Sequence, residues 1–131
     1  MPTYGIGIDL GGTHITIVII EVNTGEIIEK IVSTVEDRSV PQIVQLICTS
    51  YNKLTELKDN VSGIGIGIPG NVDPYLGITR YLPNFGWTNE VPIAKLLITE
   101  LNTISFVEMR NDGMVDIHFS PYIRNSDGLC L

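Results

Sequence analysis

The first element of the chain is marked by strict alternation. Between Tyr4 and Asp9 every second residue is large and apolar, and the residues between them are glycine or aspartate. This period of two predicts a β-strand with one apolar face and one nearly bare face. A glycine face indicates the close approach of another backbone or of a ligand.

Four further segments predict additional strands. Segments 14–22 and 27–34 are rich in β-branched residues and are joined by turn residues at 23–26. Segment 61–68 alternates isoleucine with glycine, and segment 104–109 is a short apolar run. A strand that follows a helix crossover usually runs parallel to its neighbour. We therefore expect an antiparallel meander of three strands with parallel additions.

Apolar residues at helical spacing predict two helices between the strands. The first begins near Ser39, which has capping-box spacing to Gln42, and Pro41 suits a first helical turn. The second begins at Pro92. We assign both apolar stripes to the core: Val40, Ile43, Val44, Ile47, Tyr51 and Leu54 in the first helix, and Ile93, Leu96, Leu97 and Leu101 in the second.

The resulting order of elements, βββαβαβ, predicts an α/β fold with a mixed sheet. A short hairpin is expected at 72–81 and a loop at 82–89. Hydrophobic residues make up 44% of the 131 residues and charged residues 18%, which is typical of one folded domain.

Charge and cysteine content narrow the function classes. The net charge of −7 disfavours nucleic acid as a partner, because phosphate backbones attract clusters of Lys and Arg. It does not exclude ATP, which a local site with Mg²⁺ can hold. No signal peptide or membrane-length apolar run is apparent, and neither the cysteines nor the histidines have metal-ligand spacing. We expect a cytoplasmic protein with reduced thiols, no membrane partner and no metal ligands.

The motif Asp9-Leu10-Gly11-Gly12-Thr13 is the first candidate for chemistry. Paired glycines in a turn let backbone N–H groups approach a phosphate, and the Thr13 hydroxyl adds a donor. Asp9 could hold Mg²⁺ through water, because Mg²⁺ binds few carboxylates directly. A plain β-hairpin with glycines chosen for positive φ explains the same residues. The Gly-Lys-Ser/Thr of a P-loop does not follow.

A formal GxGxxG pattern at residues 65–70 indicates no dinucleotide site. That fingerprint needs its glycines in a turn that opens a helix. Here the glycines lie within a predicted strand, and Asn71-Val72-Asp73-Pro74 is a poor start for a helix.

Two other places carry polar residues suited to a substrate. Asp112, after the last predicted strand, could take a proton from a substrate hydroxyl, because ligands of open α/β sheets bind beyond the carboxyl ends of strands. A helix cap or turn is the alternative for Asn111-Asp112. Asn71 and Asn84 lie in loops and can donate to and accept from sugar hydroxyls. Trp87 could cover a sugar face or fill the core.

Together these segments resemble the ROK family of sugar kinases and related repressors over residues 3–113. The resemblance is carried, in chain order, by Gly7-Ile8-Asp9-Leu10-Gly11-Gly12-Thr13, by Gly65-Ile66-Gly67-Ile68-Pro69-Gly70 with Val72-Asp73, by Pro83-Asn84-Phe85-Gly86-Trp87, and by Asn111-Asp112-Gly113. It implies a two-lobed actin-like ATPase (RNase H-like) fold, of which residues 1–113 would be the N-terminal lobe.

The resemblance implies ATP-dependent phosphorylation of a hexose or N-acetylhexosamine, usually at the 6-hydroxyl. Asp9, Gly11, Gly12 and Thr13 would form the first phosphate motif, with Mg²⁺ as cofactor. The sugar would contact Gly70, Asn71, Asn84 and Asn111. Asp112 would orient and deprotonate the attacking hydroxyl.

Residues 114–131 depart from the family pattern. The family continues after Asn-Asp with a helix of small residues, whereas Pro121 and the polar run behind it would end a helix early. A second lobe would supply the adenine site, a sugar-binding Glu-His pair and, in many members, a zinc site. We expect a truncated chain or a tail foreign to the family, inactive alone.

Two other functions stay open at this stage. A repressor of the same family would carry a helix-turn-helix before the first strand, and the strand at Thr3 or Tyr4 leaves no room for one. A non-catalytic sugar- or nucleotide-binding module is the other alternative. An apolar surface normally covered by the second lobe would promote a homodimer.

Overall fold

Strands and two helices alternate in the computed structural model, which describes residues 2–11, 13–56, 58, 60–102 and 107–111. The strands are β1 (Tyr4–Leu10), β2 (His14–Glu21), β3 (Ile27–Thr34), β4 (Val61–Ile68), β5 (Asn71–Asp73), β6 (Ile78–Tyr81) and β7 (Val107–Asn111). The helices are α1 (Val40–Thr55) and α2 (Ile93–Leu101), and a 3₁₀ turn spans Pro83–Phe85.

Five strands form one mixed sheet in the order β3-β2-β1-β4-β7. The β1–β2 and β2–β3 pairs are antiparallel, and the β1–β4 and β4–β7 pairs are parallel. The predicted meander with parallel additions is confirmed. β5 and β6 form a separate antiparallel pair, which confirms the hairpin predicted at 72–81.

The two helices pack against the isoleucine face of this sheet. Ile6 and Ile8 of β1 are fully buried beside Ile64 of β4, in one core with the apolar stripes of α1 and α2. Each fully buried isoleucine side chain stabilises the fold by about 1.5–3 kcal/mol. Both helical stripes therefore form core, as the spacing predicted.

Glycines of β1 and β4 lie next to each other in the parallel ladder. Gly7 is in register with Gly65, and Asp9 with Gly67. Gly65 and Gly67 lie inside β4, and the chain continues through a turn into β5 instead of a helix. The GxGxxG pattern is thus part of a sheet and has none of the geometry of a dinucleotide-binding turn.

The ends of β1, β2 and β7 differ from the prediction. The alternation that predicts the first strand stops before Leu10, but Leu10 pairs with Ile15 as the last residue of β1. The second strand was expected at 14–22, but β2 ends at Glu21. The last strand was expected at 104–109, whereas β7 runs to Asn111 because Asn111 pairs with Ile68 at the end of β4. Residues 104–106 lie outside the described residues, as does the chain from residue 112 onwards.

The capping box predicted at Ser39 is wrong. Ser39 is the residue before α1, but its side chain makes no cap hydrogen bond. Its backbone amide donates to the carboxylate of Asp37, and its hydroxyl also bonds that carboxylate. A capping box would need the Ser39 hydroxyl to accept a hydrogen bond from the backbone N–H of Gln42, and that bond is absent. The hydroxyl is therefore used on the preceding loop instead of on the helix.

The β5–β6 hairpin is organised by the side chain of Asp73. One carboxylate oxygen accepts hydrogen bonds from the backbone amides of Tyr75 and Leu76, at 3.0 and 3.1 Å. The other accepts from the guanidinium of Arg80 at 2.9 Å, and Arg80 also pairs with Glu90. These bonds hold the pKa of Asp73 below its ordinary value. The hairpin is thus stabilised by hydrogen bonds and ion pairs of its own side chains.

Candidate functional site

Several of the candidate residues in the described part of the chain lie at one edge of the main sheet, where its parallel strands end. β1, β4 and β7 run parallel, so their carboxyl ends lie together. Asp9 is level with Gly67, and Asn111 is level with Ile68, immediately before the turn that contains Gly70. This is the edge at which open α/β sheets bind ligands.

Asp9 is a half-buried carboxylate on this edge. Burial raises its pKa above the ordinary value for aspartate. Among the described residues, no hydrogen-bond donor or cation reaches the carboxylate to offset that cost. A negative group left without compensation in this way attracts a cation or a protonated ligand group.

The turn after β1 holds Gly11 in close contact with the next strand. A Cβ atom at Gly11 would lie 2.7 Å from the carbonyl oxygen of His14, which is closer than real Cβ contacts. The backbone of Gly11 does not have a positive φ. Glycine is thus required at position 11 because the carbonyl oxygen of His14 leaves no room for a side chain. The alternative, that glycine was needed for a positive φ, is wrong for this position. Gly12 lies outside the described residues.

The Thr13 hydroxyl already has a neighbour. Its Oγ1 lies 2.9 Å from Nδ1 of the exposed His14 ring. Sequence reasoning treated Thr13 as a donor to phosphate and gave His14 no role. The structure brings the two side chains together at the mouth of the turn, so the His14 ring affects the direction in which the Thr13 hydroxyl donates.

The sugar-side candidates surround the hairpin. A Cβ atom at Gly70 would lie 2.9 Å from the carbonyl oxygen of Tyr81 and 3.0 Å from Cδ1 of Leu82. Gly70 is therefore fixed by packing against the end of β6, and it brings the exposed Asn71 close to the start of the loop that carries the exposed Asn84.

Comparison with known proteins identifies the family of the chain. The model of the ROK family matches residues 5–113. The chain belongs to the ROK family.

Individual ROK relatives include both kinases and regulators. The chain is 28% identical over 104 residues to a glucokinase of Thermotoga maritima, covering 79% of the chain and 32% of the glucokinase. It is 28% identical over 108 residues to a xylose repressor of Caldicellulosiruptor bescii, covering 79% of the chain and 27% of the repressor. The chain thus spans about a third or less of these two relatives.

A solved ROK structure establishes the fold. The chain superposes on a ROK hexokinase from Thermus thermophilus with a TM-score of 0.71 and 23% identity, covering 84% of the chain and 35% of the hexokinase. The predicted actin-like ATPase fold is confirmed.

Trp87 belongs to the hydrophobic core. It is 5% exposed and packs edge-to-face on Phe85, with ring centroids 5.4 Å apart. Its indole Nε1–H donates to the backbone carbonyl of Arg38 at 2.7 Å. Of the two roles considered for Trp87, the structure supports the core role, and a ring buried in this way leaves little face for a sugar.

Arg38 is a residue that sequence reasoning missed. It lies in the loop between β3 and α1, and its guanidinium Nη1–H donates to the carbonyl oxygen of Gly11 at 3.3 Å. Its Cζ atom lies 4.5 Å from the centroid of the Phe85 ring. A single arginine thus contacts the turn after β1 and the loop that carries Asn84. The only local signal is one cation after two acidic residues, which does not identify its partners.

The remaining predicted site residues lie partly or wholly outside the described residues. The backbone of Asn111 ends β7, and Asp112 follows beyond the described part of the chain. Within the described residues, no three His, Cys, Asp or Glu side chains form a group that could hold a metal ion. In the same part of the chain, no helix is long and apolar enough to cross a membrane. The homodimer expected from the sequence stays a prediction.

Proposed function

We propose that this chain is the N-terminal lobe of an ATP-dependent kinase that phosphorylates a hexose or an N-acetylhexosamine, at the 6-hydroxyl. One observation carries the proposal: Asp9, which no donor among the described residues compensates, lies with the turn after β1 and with Asn71 at one edge of the sheet, and Arg38 connects that turn to the loop of Asn84. Family membership and the glucokinase relative support the same activity.

ATP would bind at the turn formed by Gly11, Gly12 and Thr13. The close packing of Gly11 leaves no side chain between the backbone and a phosphate. The half-buried Asp9, with its raised pKa, fits an acceptor of Mg²⁺ through water, because a cation offsets the cost of burying the charge. When bound, Mg²⁺ would neutralise negative charge on the phosphates.

The sugar would bind between the hairpin and the loop that carries Asn84. Asn71 and Asn84 are exposed and each offers an amide donor and acceptor to sugar hydroxyls. Gly70 would let the sugar approach the backbone, and Asn111 would add a contact from the end of β7. Asp112 is proposed as the base that accepts the proton of the attacking hydroxyl, a transfer usually worth about 10²–10⁴-fold in rate.

We propose that the 131-residue chain does not phosphorylate sugar alone. The chain covers only 32% of the glucokinase relative, and phosphoryl transfer depends on clamping ATP and sugar together. The test is a coupled assay for sugar phosphate with glucose, N-acetylmannosamine and Mg-ATP. Turnover by the purified chain, retained after repeated chromatography and abolished in Asp112→Asn, would refute inactivity and support the assignment of Asp112.

Titration calorimetry tests the binding half of the proposal. Wild-type chain is expected to bind glucose or N-acetylmannosamine weakly and to bind Mg-ATP more weakly, because the adenine site would lie elsewhere. Asn84→Ala should lower sugar affinity and leave the affinity for Mg-ATP unchanged. A wild-type chain that binds neither ligand at millimolar concentration contradicts the proposal.

A sugar-sensing regulator is the second candidate. It is favoured by one observation, the equal 28% identity to the xylose repressor. A regulator lobe would bind sugar without any response to Mg-ATP. Sugar binding that persists unchanged in Asp9→Asn, together with no detectable Mg-ATP binding in the wild type, would favour the regulator over the kinase.

A further inference from the structure

Three segments that lie far apart in sequence meet at Arg38: its own loop between β3 and α1, the turn after β1, and the loop at 83–87. Its side chain donates to Gly11 in the turn after β1 and lies over the ring of Phe85, and its backbone carbonyl accepts the indole N–H of Trp87. The side chain is half-buried, so these contacts are partly shielded from water. Shielding strengthens the electrostatic interactions of a guanidinium relative to those of an exposed one.

Within the described residues, the guanidinium contacts two parts of the proposed site. Gly11 belongs to the turn proposed to hold phosphate, and Phe85 is the neighbour of Asn84, proposed to contact sugar. A planar guanidinium can donate in its plane while its face lies on an aromatic ring, which the ammonium of lysine does not reproduce. One side chain therefore contacts two loops that no β-ladder joins in the described part of the chain.

We propose that Arg38 is a positioning residue that couples the phosphate turn to the sugar loop. A shift of Phe85 when sugar binds moves the guanidinium, and the guanidinium moves Gly11. The proposal rests on the proposed function for the identity of the two ligands, but the mechanical link between the two segments can be tested without either ligand.

Hydrogen–deuterium exchange of the unliganded chain tests the link directly. Arg38→Met keeps the aliphatic stem and removes the guanidinium. We expect it to raise amide exchange roughly fivefold or more at residues 10–14 and at 83–87, because a charge-assisted hydrogen bond and a ring contact are lost. Exchange at β4, residues 61–68, should stay unchanged.

Two further variants separate coupling from general loosening. Phe85→Leu removes the ring beneath the guanidinium, and we expect exchange in the turn at 10–14 to rise about twofold, although the substitution lies in another segment. Arg80→Met is the matched control, because Arg80 is tied to Asp73 and Glu90 in the hairpin. It should leave the turn unchanged. The proposal is overturned if amide exchange at residues 10–14 is unchanged in Phe85→Leu, or if it rises equally in Arg80→Met.

Ligand binding supplies a second readout that a purely structural role would not move. The chain has one tryptophan, so its emission reports on the loop at 83–87 alone. Mg-ATP should change Trp87 emission in the wild type and not in Arg38→Met. Glucose and Mg-ATP should alter each other's affinity about fivefold or more in the wild type, and by a factor near one in Arg38→Met.

The two proposals fail in different ways. If the wild type binds neither ligand, the proposed function fails, and the exchange measurements still decide whether Arg38 links the two segments. If the wild type binds both ligands and Arg38→Met keeps the full coupling and the emission change, the role of Arg38 is refuted while the kinase proposal stands.

Discussion

Two aspartates, one in the main sheet and one in the β5–β6 hairpin, have opposite environments. Asp73 in the hairpin accepts hydrogen bonds from two backbone amides and from Arg80, and these donors lower its pKa. Asp9 at the end of β1 is half-buried, meets no donor within the described part of the chain, and has a raised pKa. The first carboxylate stabilises the fold, whereas the second imposes a cost on it.

This difference distinguishes a carboxylate that its neighbours stabilise from one for which the described residues supply no donor. Both residues fall within motifs that carry the family resemblance, and sequence analysis assigned a candidate role to Asp9 alone. A carboxylate that already bonds to donors within the fold gains little from binding a further cation. A charge that the fold leaves uncompensated is retained at the expense of stability, as is common at functional sites.

The largest effect is expected from disrupting the hairpin at Gly77. Its φ is +70°, and a Cβ atom would lie 2.6 Å from Cβ of Ala94. Gly77→Ala should lower the free energy of unfolding by about 2–5 kcal/mol, through both backbone strain and overpacking. Chemical denaturation measures this loss. Gly86→Ala is the control, because Gly86 has φ of +76° but open space around it, so it should lose less.

Asp9→Asn should separate function from stability. Removing the uncompensated charge should weaken Mg-dependent nucleotide binding about 10–100-fold, the cost typical of an outer-shell metal partner. Stability at neutral pH should stay equal or rise, since the buried charge is gone. Calorimetry and thermal unfolding of the same samples check both outcomes. A clear fall in melting temperature would show that Asp9 is compensated after all.

A smaller effect, a rise in the free energy of unfolding, is expected from Thr79→Val in β6. Thr79 is fully buried, and within the part of the chain that the structure describes its hydroxyl has no hydrogen-bond partner. Valine has nearly the same shape and removes the unsatisfied hydroxyl, so the free energy of unfolding should rise by about 1 kcal/mol. Thr79→Ser keeps the hydroxyl and serves as the control; it should not stabilise the protein.

Acid titration should give the smallest but most direct contrast between the two aspartates. The lowered pKa of Asp73 contributes stability above its unfolded pKa, about 3.9, and that contribution is lost as pH falls through the folded pKa. The raised pKa of Asp9 costs stability as pH rises through its folded value. At neutral pH, Asp73→Asn should therefore be less stable than wild type, and Asp9→Asn no less stable.

Both differences should shrink in acid, where the wild-type carboxylates are protonated. Unfolding curves recorded across the acid range check this. Difference curves of the same sign for the two variants would contradict the assignment of opposite environments.

Local patterns predicted the strands and helices because the period of each can be recognised within a short stretch of sequence. The alternation in β1 and β4 and the stripe of α1 all correspond to buried faces. The predicted strand ends were wrong where pairing with a neighbouring strand sets the end. Leu10 stays in β1 because it pairs with Ile15, and β7 reaches Asn111 because β4 continues beside it. Ser39 failed as a cap because Asp37 takes its hydroxyl.

The site could be predicted only in part for the same reason. Asp9, Gly11 and Thr13 could be proposed from the sequence because they fall within five consecutive residues. Arg38 was missed because its partners, Gly11 and Phe85, are distant in sequence and no local rule joins an arginine to a carbonyl and a ring so far away. The reason for glycine at position 11, the carbonyl of His14, likewise appears only when the strands pair.

The position of β1 in the centre of the sheet also sets an order for folding during synthesis. β2 pairs with one side of β1 soon after translation, but the other side waits for β4, in which Val61 pairs with Tyr4. At about 5–20 residues per second, roughly 3–12 seconds separate the synthesis of Leu10 and Ile68. During that interval β1 presents an unpaired edge, and the nascent meander depends on its surroundings to keep that edge from pairing with another chain.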